Sequence, residues 1–411
     1  MASFEPTDDQ RLMRETVADF ARTKIRDRVR ATEAARGLPS DLRDGLVELG
    51  LAALSIPEAH GGAGLGLSTA VIVEEELAYA DPAVPFAMPG PGALAHALLE
   101  LGDDAQIARV LAPFAADPRR VGAFAWSEAR PHRDRAGFVT TATRDGDGWI
   151  LEGRKSFVIG AGVASTYVVC AQIDERAGWD GIGAFVVDAD RVRVSARHRT
   201  VGLDAATIAD VDLDRVRVTE GDRLRGRAQV SAGGSPGASA FGLGLRRTFA
   251  RISLHVAARA VGLARSAFEL ARAYADERRA FGKPIGHFQS IAFTLADRHI
   301  DVEGARALVQ RAAWTFDRGA DERLVLSRAA EAVAEAVEVA QRAADDAVQI
   351  HGGAGFVRDY LVEKWMRDAK TIALCAPTAT TSDQLFAALA LDAPLDPALV
   401  LPVPEIQPIF T

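Results

Sequence analysis

Two segments in the last third of the chain hold residue types at spacings that can do chemistry. The first, ERRAFGKPIGHFQSI from Glu277 to Ile291, sets Arg278, Phe281 and Gln289 around a Gly-Lys-Pro turn. A guanidinium pairs bidentately with phosphate, so a helix–turn–helix end of this kind can present a cation and amides to an anion. The second, QIHGGAGFVRDYLVEKWMRDAK from Gln349 to Lys370, breaks a helical pattern with the pair Gly352–Gly353. Glycine permits positive φ and close backbone approach, which admits a flat or charged group against the main chain. Taken alone, each has a plainer reading: a solvated helix end with a buried Phe, and a helix C-cap.

Long helices must position both segments. Apolar periodicity predicts helices over Arg251 to Arg278, His287 to Arg318 and Asp321 to Gly352, with a shorter one around Tyr360 to Leu374; together these favour a four-helix bundle. A Gly/Ser-rich stretch, Ser231 to Gly244, precedes them and reads as a flexible link. Before it the pattern is short and alternating: Phe138–Thr143, Trp149–Glu152, Ser156–Ile159, Thr166–Ala171, Ile182–Val187, Val192–Ala196 and Ala209–Val218. That spacing predicts a small antiparallel sandwich or barrel. The first part is helical, opening with a Thr7–Gln10 capping box and a helix to about Arg36, and broken at Pro57, Gly61–Gly62 and Pro82. The expected fold is therefore α+β and multidomain: a helical domain over 1–118, a central β domain over 119–230, a helical bundle over 231–390 and a proline-rich tail over 391–411. No internal repeat is present.

The composition narrows the function. A chain of 411 residues, 48% hydrophobic and 25% charged, can bury a sizeable core and divides into roughly two to four domains. Its 48 basic and 56 acidic residues give a net charge of −8, which disfavours a grip on nucleic-acid phosphates. Cys170 and Cys375 are the only cysteines, too few for a disulfide framework or a cysteine-rich metal site. The polar N-terminus and the lack of any long apolar run predict a cytoplasmic protein with no membrane partner.

Together and in this order, the two segments resemble the acyl-CoA dehydrogenase family. The likeness extends over nearly the whole chain and includes IPEAHGGAGLG at Ile56 to Gly66. It implies a flavin, FAD, lying between subunits. The matching positions imply that Arg278, Phe281 and Gln289, with Gln349, Gly352 and Gly353 at the adenine end, serve a neighbouring subunit's flavin. The half supplied to the chain's own flavin falls on Trp126, Ser127, Phe157 and Thr378. It departs from the family pattern: Ser127-Glu128-Ala129-Arg130-Pro131 lacks the glycine-bearing tail, and Ile159 stands where the family has a threonine hydroxyl near flavin N5.

The larger departure concerns the base. Oxidising a thioester at Cα–Cβ removes a weakly acidic α-proton while hydride leaves Cβ, so a carboxylate must face Cα. The family's two positions for it fall on Ala376 and Ile252, and neither accepts a proton. Arg251, beside the second, reads as a cation for an anionic substrate or as a surface arginine. His351 reads as a backbone participant in the glycine motif, and Cys375 as a small buried hydrophobe. The resemblance thus implies a FAD-dependent acyl-CoA dehydrogenase-type oxidoreductase for a CoA or carrier-protein thioester, with an electron-transfer partner, as a homodimer, a homotetramer or a heterotetramer with a catalytic subunit. The alternatives are a non-catalytic partner subunit, or a flavin monooxygenase or lyase on the same fold. No catalytic residue and no metal ligand is assigned.

Overall fold

Helix α1 (Asp8–Phe20) starts where the capping box sets it: Gln10 N–H donates to Thr7 Oγ at 3.2 Å, and Gln10 Oε1 accepts from Thr7 N–H at 3.0 Å. The helix does not run unbroken to Arg36. A π-turn over Ala21–Ile25 and a 3-10 turn over Arg26–Arg28 precede α2 (Val29–Ala35), which ends at Arg36 with φ 52°. The break delivers the Arg26 guanidinium to Ser266 Oγ at 2.8 Å and to the Tyr79 carbonyl at 3.0 Å, a tie to a distant helix that outweighs local periodicity. The computed structural model describes residues 6–129, 138–174, 176–177, 181–227, 239–377, 386–387 and 389–391; Thr378 and most of the proline-rich tail lie outside them.

The N-terminal region continues with α3 (Ser40–Glu48), α4 (Leu67–Ala80), α5 (Val84–Ala87), α6 (Gly92–Leu101) and α7 (Asp104–Ala116). Of these, α4 is buried nearly all round, including the consecutive Glu74, Glu75 and Glu76. Successive residues turn by about 100°, so the three carboxylates cannot all share one partner, and each must be paired with a cation.

The central region is one eight-stranded sheet of β1 (Val121–Ala125), β2 (Thr141–Asp145), β3 (Gly148–Ile159), β4 (Ala164–Gln172), β5 (Ile182–Asp188), β6 (Arg193–Val194), β7 (Ile208–Thr219) and β8 (Arg223–Leu224). The order is β6-β7-β3-β2-β4-β5-β8, with β1 on β4. Pairing is antiparallel except for β1 with β4 and a single parallel contact of Thr141 with Gln172. The two expected strands around Trp149 and Ser156 are one strand, β3, kept continuous by register shifts against β7 between Leu151 and Gly153 and between Lys155 and Val158. Gly153 makes the first shift possible: its φ is +141°, and a Cβ there would stand 2.7 Å from Thr140 Cα. Phe138 precedes β2 rather than starting it, and is fully buried edge-on to Trp126. Alternate residues of β4 face opposite sides: Val168 and Cys170 join the helical core, while Tyr167, Val169 and Ala171 join a second core within the sheet.

The bundle comprises α8 (Ala240–Glu277), a two-stranded turn of β9 (Arg279–Ala280) and β10 (Lys283–Pro284), then α9 (Gln289–Asp317), α10 (Glu322–His351) and α11 (Val362–Ile372). The end of the glycine-rich stretch read as flexible is helical, because Ser239 caps α8 by accepting from Gly242 N–H at 3.0 Å. Gly244 is there for packing: a Cβ would meet the Glu100 carbonyl at 2.6 Å. Residues 228–238 of that stretch are outside the described residues. Among the described residues no helix is long and apolar enough to cross a membrane.

Candidate active site

Trp126 and Ser127 follow the end of β1, and Phe157 projects from β3; all three line one cavity of about 710 Å³. The turn after β1 is held from below. Glu128 accepts from the N–H groups of Val139 and Thr140 at 2.7 and 3.0 Å and from Lys155 Nζ at 2.7 Å. Burial opposes ionisation of Glu128, but Lys155 and these N–H donors hold its carboxyl below the usual range. The Lys155 ammonium is fully buried and also lies 3.6 Å from the centroid of the Phe138 ring. The Ser127 carbonyl accepts from Ser156 N–H at 2.9 Å, which locks the two wall segments together.

Phe157 is 55% exposed and has φ 56°, a backbone state costly for a bulky residue. Asp210 on β7 holds it there by accepting its N–H at 3.1 Å, and the His198 ring packs on the Phe157 ring at 4.9 Å between centroids. Phe281 is the second aromatic with this backbone, at φ 50°, and is 96% exposed at the β9–β10 turn. Two of the sequence-predicted site residues therefore carry local strain.

The helical wall of the cavity contains Ile252, Ala376 and Cys375. Neither of the first two carries a titratable group, so the structure supplies no carboxylate at those positions. Arg251 is neither on the surface nor available as a free cation. It donates to Glu100 Oε1 from Nη2 at 2.8 Å and stacks over the Phe316 ring at 4.7 Å. Cys375 donates to the Thr371 carbonyl at 3.3 Å, and burial pushes its thiol up to about 12, so it is inert as a nucleophile.

The remaining predicted residues gather elsewhere, at one end of the bundle. Arg278 ends α8, Gln289 opens α9, Gln349 lies in the last turn of α10 and Gly352–Gly353 follow it; all are exposed. His351 ties these ends together, stacking on Tyr274 at 4.1 Å and meeting Tyr360 edge-on at 5.3 Å, while its Nδ1 pairs with the Ala347 carbonyl at 2.7 Å. Its place is packing. Gly352 has φ 57°, the backbone state that requires glycine there.

The sequence reading missed a polar group on the cavity wall: Glu74 of α4, His96 of α6, and His255 and Arg259 of α8. Arg259 donates to both Glu74 oxygens at 2.6 and 2.8 Å, and His255 Nδ1 lies 3.2 Å from Glu74 Oε1. Burial opposes the charge on Glu74, yet Arg259 and then His255 hold its carboxyl at about 2. A signal was present in the sequence, since Glu74–Glu76 interrupt an apolar run, Ala70–Val73 before them and Leu77–Ala78 after, which marks buried charges that need partners. The neighbouring carboxylates are also paired with arginines. Glu75 accepts from Arg265 and Arg306 at 2.7 and 2.9 Å, and Glu76 accepts from Arg265 at 2.5 Å.

Three family models match the chain in order: acyl-CoA dehydrogenase N-terminal domain over residues 7–117, middle domain over 123–216 and C-terminal domain over 245–376. The caffeyl-CoA reductase–Etf complex subunit CarC of Acetobacterium woodii is 30% identical over 94% of this chain and 99% of its own. The probable acyl-CoA dehydrogenase YngJ of Bacillus subtilis is 32% identical over 90% and 94%. Butyryl-CoA dehydrogenase from Megasphaera elsdenii superposes with a TM-score of 0.83 at 29% identity, covering 95% of this chain and all of that one.

Proposed function

The chain belongs to the acyl-CoA dehydrogenase family, and from that premise we propose that it is a FAD-dependent oxidoreductase acting on an acyl thioester at Cα–Cβ. One observation carries the reading. A single cavity joins the sheet-side positions Trp126, Ser127 and Phe157 to the helix-side positions Ile252 and Ala376. These are the two walls between which a flavin and an acyl group must meet.

The residues present fit a flavin. Trp126 and Phe157 offer aromatic surface, Ser127 a hydroxyl, and Gly160, with φ +86°, lets the backbone approach closely. Bound FAD supplies the acceptor for the hydride that leaves Cβ. The outward-facing Arg278 neutralises the diphosphate of a flavin in a neighbouring subunit, Phe281 and Gln289 pack beside it, and Gln349 with Gly352–Gly353 takes the adenine end. Thr378 completes the set. The site is therefore finished only in an oligomer, either of this chain alone or with an unlike dehydrogenase subunit. The substrate is a CoA or carrier-protein thioester, and the electrons pass to an electron-transfer partner. The name of the Acetobacterium relative places that protein in a complex with Etf, which supports such a partner here.

A second reading follows from the apolar walls at Ile252 and Ala376. The residues offered to a neighbour's flavin are intact while neither expected position for the base carries a carboxylate, so the chain can serve as the non-catalytic subunit of a heteromeric dehydrogenase. The experiment is to purify the chain alone and with products of adjoining genes, record flavin absorbance, and add butyryl-CoA and longer acyl-CoA thioesters without oxygen. Bleaching by the lone chain supports the first reading. Flavin and bleaching only in a mixed complex support the second. No flavin in any preparation overturns both.

A further inference from the structure

Dehydrogenation does not account for the polar group on the cavity wall. His96 and His255 stack with ring centroids 4.2 Å apart and planes at 23°; both line the cavity and are buried. The ionised Glu74 beside His255 assigns the proton of that ring to Nδ1, which leaves Nε2 as a bare acceptor. Among the described residues that Nε2 has no hydrogen-bond partner, and neither has Nδ1 of His96. Two buried, unpartnered nitrogens thus belong to stacked rings on the wall of a cavity that is otherwise largely apolar. An alkyl chain covering them would leave both unpaired, an unfavourable arrangement.

The charge balance says what would satisfy them. Arg259 cancels Glu74, and Arg247 and Arg251, the next cations along α8, are both held by Glu100. Burial keeps both imidazoles neutral, lowering His96 well below its usual value and lowering His255 against the pull of Glu74. The pair itself therefore carries no charge to offer a carboxylate, and the nearest cations, Arg251 and Arg259, are already tied to Glu100 and Glu74. Its place along α8 is also fixed. Phe249 packs on Trp126 at 4.8 Å, and Ile252 and His255 follow at three-residue steps, so at about 1.5 Å per residue His255 lies about 4.5 Å beyond Ile252, away from the Trp126 side.

We propose that the His96–His255 pair is a specificity subsite for an uncharged hydroxyl on the acyl chain, a few carbons beyond the reacting pair. The hydroxyl donates to His255 Nε2 and accepts from His96 in the tautomer protonated on Nδ1. A hydroxyl is the smallest group that does both. This rests on reading the cavity as the acyl site.

Isothermal titration of the flavin-loaded protein with butyryl-CoA, 4-hydroxybutyryl-CoA, hexanoyl-CoA, 6-hydroxyhexanoyl-CoA and succinyl-CoA tests it without relying on turnover. The expected result is that at least one hydroxyacyl thioester binds about tenfold or more tightly than its alkyl counterpart, with succinyl-CoA showing no such gain. His96→Phe and His255→Phe should close that gap, and His255→Gln, which keeps a hydrogen-bonding head, should retain part of it. Equal affinity for hydroxyl and alkyl thioesters at both lengths overturns the subsite while leaving the acyl site standing. Binding of none of the five overturns the acyl site itself. If His255→Phe keeps the binding gap but abolishes bleaching by hexanoyl-CoA, the imidazole is an acid–base group and the subsite falls. The wild-type series decides the matter should the variants fail to fold.

Discussion

Asp210 holds Phe157 in its left-handed backbone state: the carboxylate accepts the Phe157 N–H at 3.1 Å and lies 2.8 Å from His198 Nε2, whose ring packs on the phenyl. A strained aromatic at a cavity mouth persists only when its surroundings fix it, at a cost of about 1–3 kcal/mol. Asp210→Ala should let Phe157 relax. The expected outcome is a small change in thermal midpoint with a several-fold loss of flavin retained through gel filtration, read from the ratio of flavin to protein absorbance. Unchanged retention would show that the Phe157 geometry is unrelated to the cofactor.

The apolar wall gives a gain-of-function test. Ala376 and Ile252 are 6% and 9% exposed and border the cavity, so a glutamate at either reaches its interior. A positioned acid–base group contributes about 10²–10⁴ in rate. Ala376→Glu is expected to raise anaerobic flavin bleaching by butyryl-CoA by at least about tenfold, the low end discounted for imperfect placement. No increase in either A376E or I252E, in protein that still binds flavin and thioester, would mean the substrate's Cα does not face this wall.

Acid sensitivity should come in two stages. His96 and His255 are held neutral below their usual 6.5, mainly by burial, with Arg251 and Arg259 facing both and Glu74 partly offsetting the effect on His255. The unfolded chain then binds more protons once pH drops below about 6.5, so stability falls from there downward. Glu74 adds the second stage. Its carboxyl sits at about 2 against the ordinary 4.5, so its contribution is complete above 4.5 and is lost as pH falls towards 2. Urea midpoints measured from pH 8 to pH 4 should decline first near 6.5, and a His96→Phe, His255→Phe double variant should lose most of that first decline, the remainder coming from His351, which burial also lowers. Parallel curves for the two proteins would remove the imidazoles as its source.

The crossing of α4 over α8 sets the cavity wall and tolerates no added bulk. A Cβ on Gly262 would stand 2.3 Å from the Glu75 carbonyl and 2.9 Å from Ala78 Cβ. Gly262→Ala should cost about 1–3 kcal/mol, because overpacking forces the helices apart. Equilibrium urea unfolding measures it, and a change under about 0.5 kcal/mol would show that the two helices separate freely.

Much of the fold is legible in the sequence. Helical and strand periods are local properties, so the helical, sheet and bundle regions follow from the chain, as do the capping box at Thr7 and the glycine turn after His351. The lack of a carboxylate at Ala376 and Ile252 is a fact of the sequence alone. What the sequence hid was pairing at a distance. Glu74 and His255 stand 181 residues apart, and Arg251 and Glu100 stand 151 apart. Read singly, Arg251 is a surface charge and His255 a helix residue among many. Their meaning depends on how α4, α6 and α8 cross, since only that crossing removes water and forces each buried ion or imidazole to find a partner or go without. The sequence by itself determined which elements form and which residues they carry; the packing of those elements decided which polar groups share a cavity, because burial is a property of the assembled fold and not of any stretch of chain.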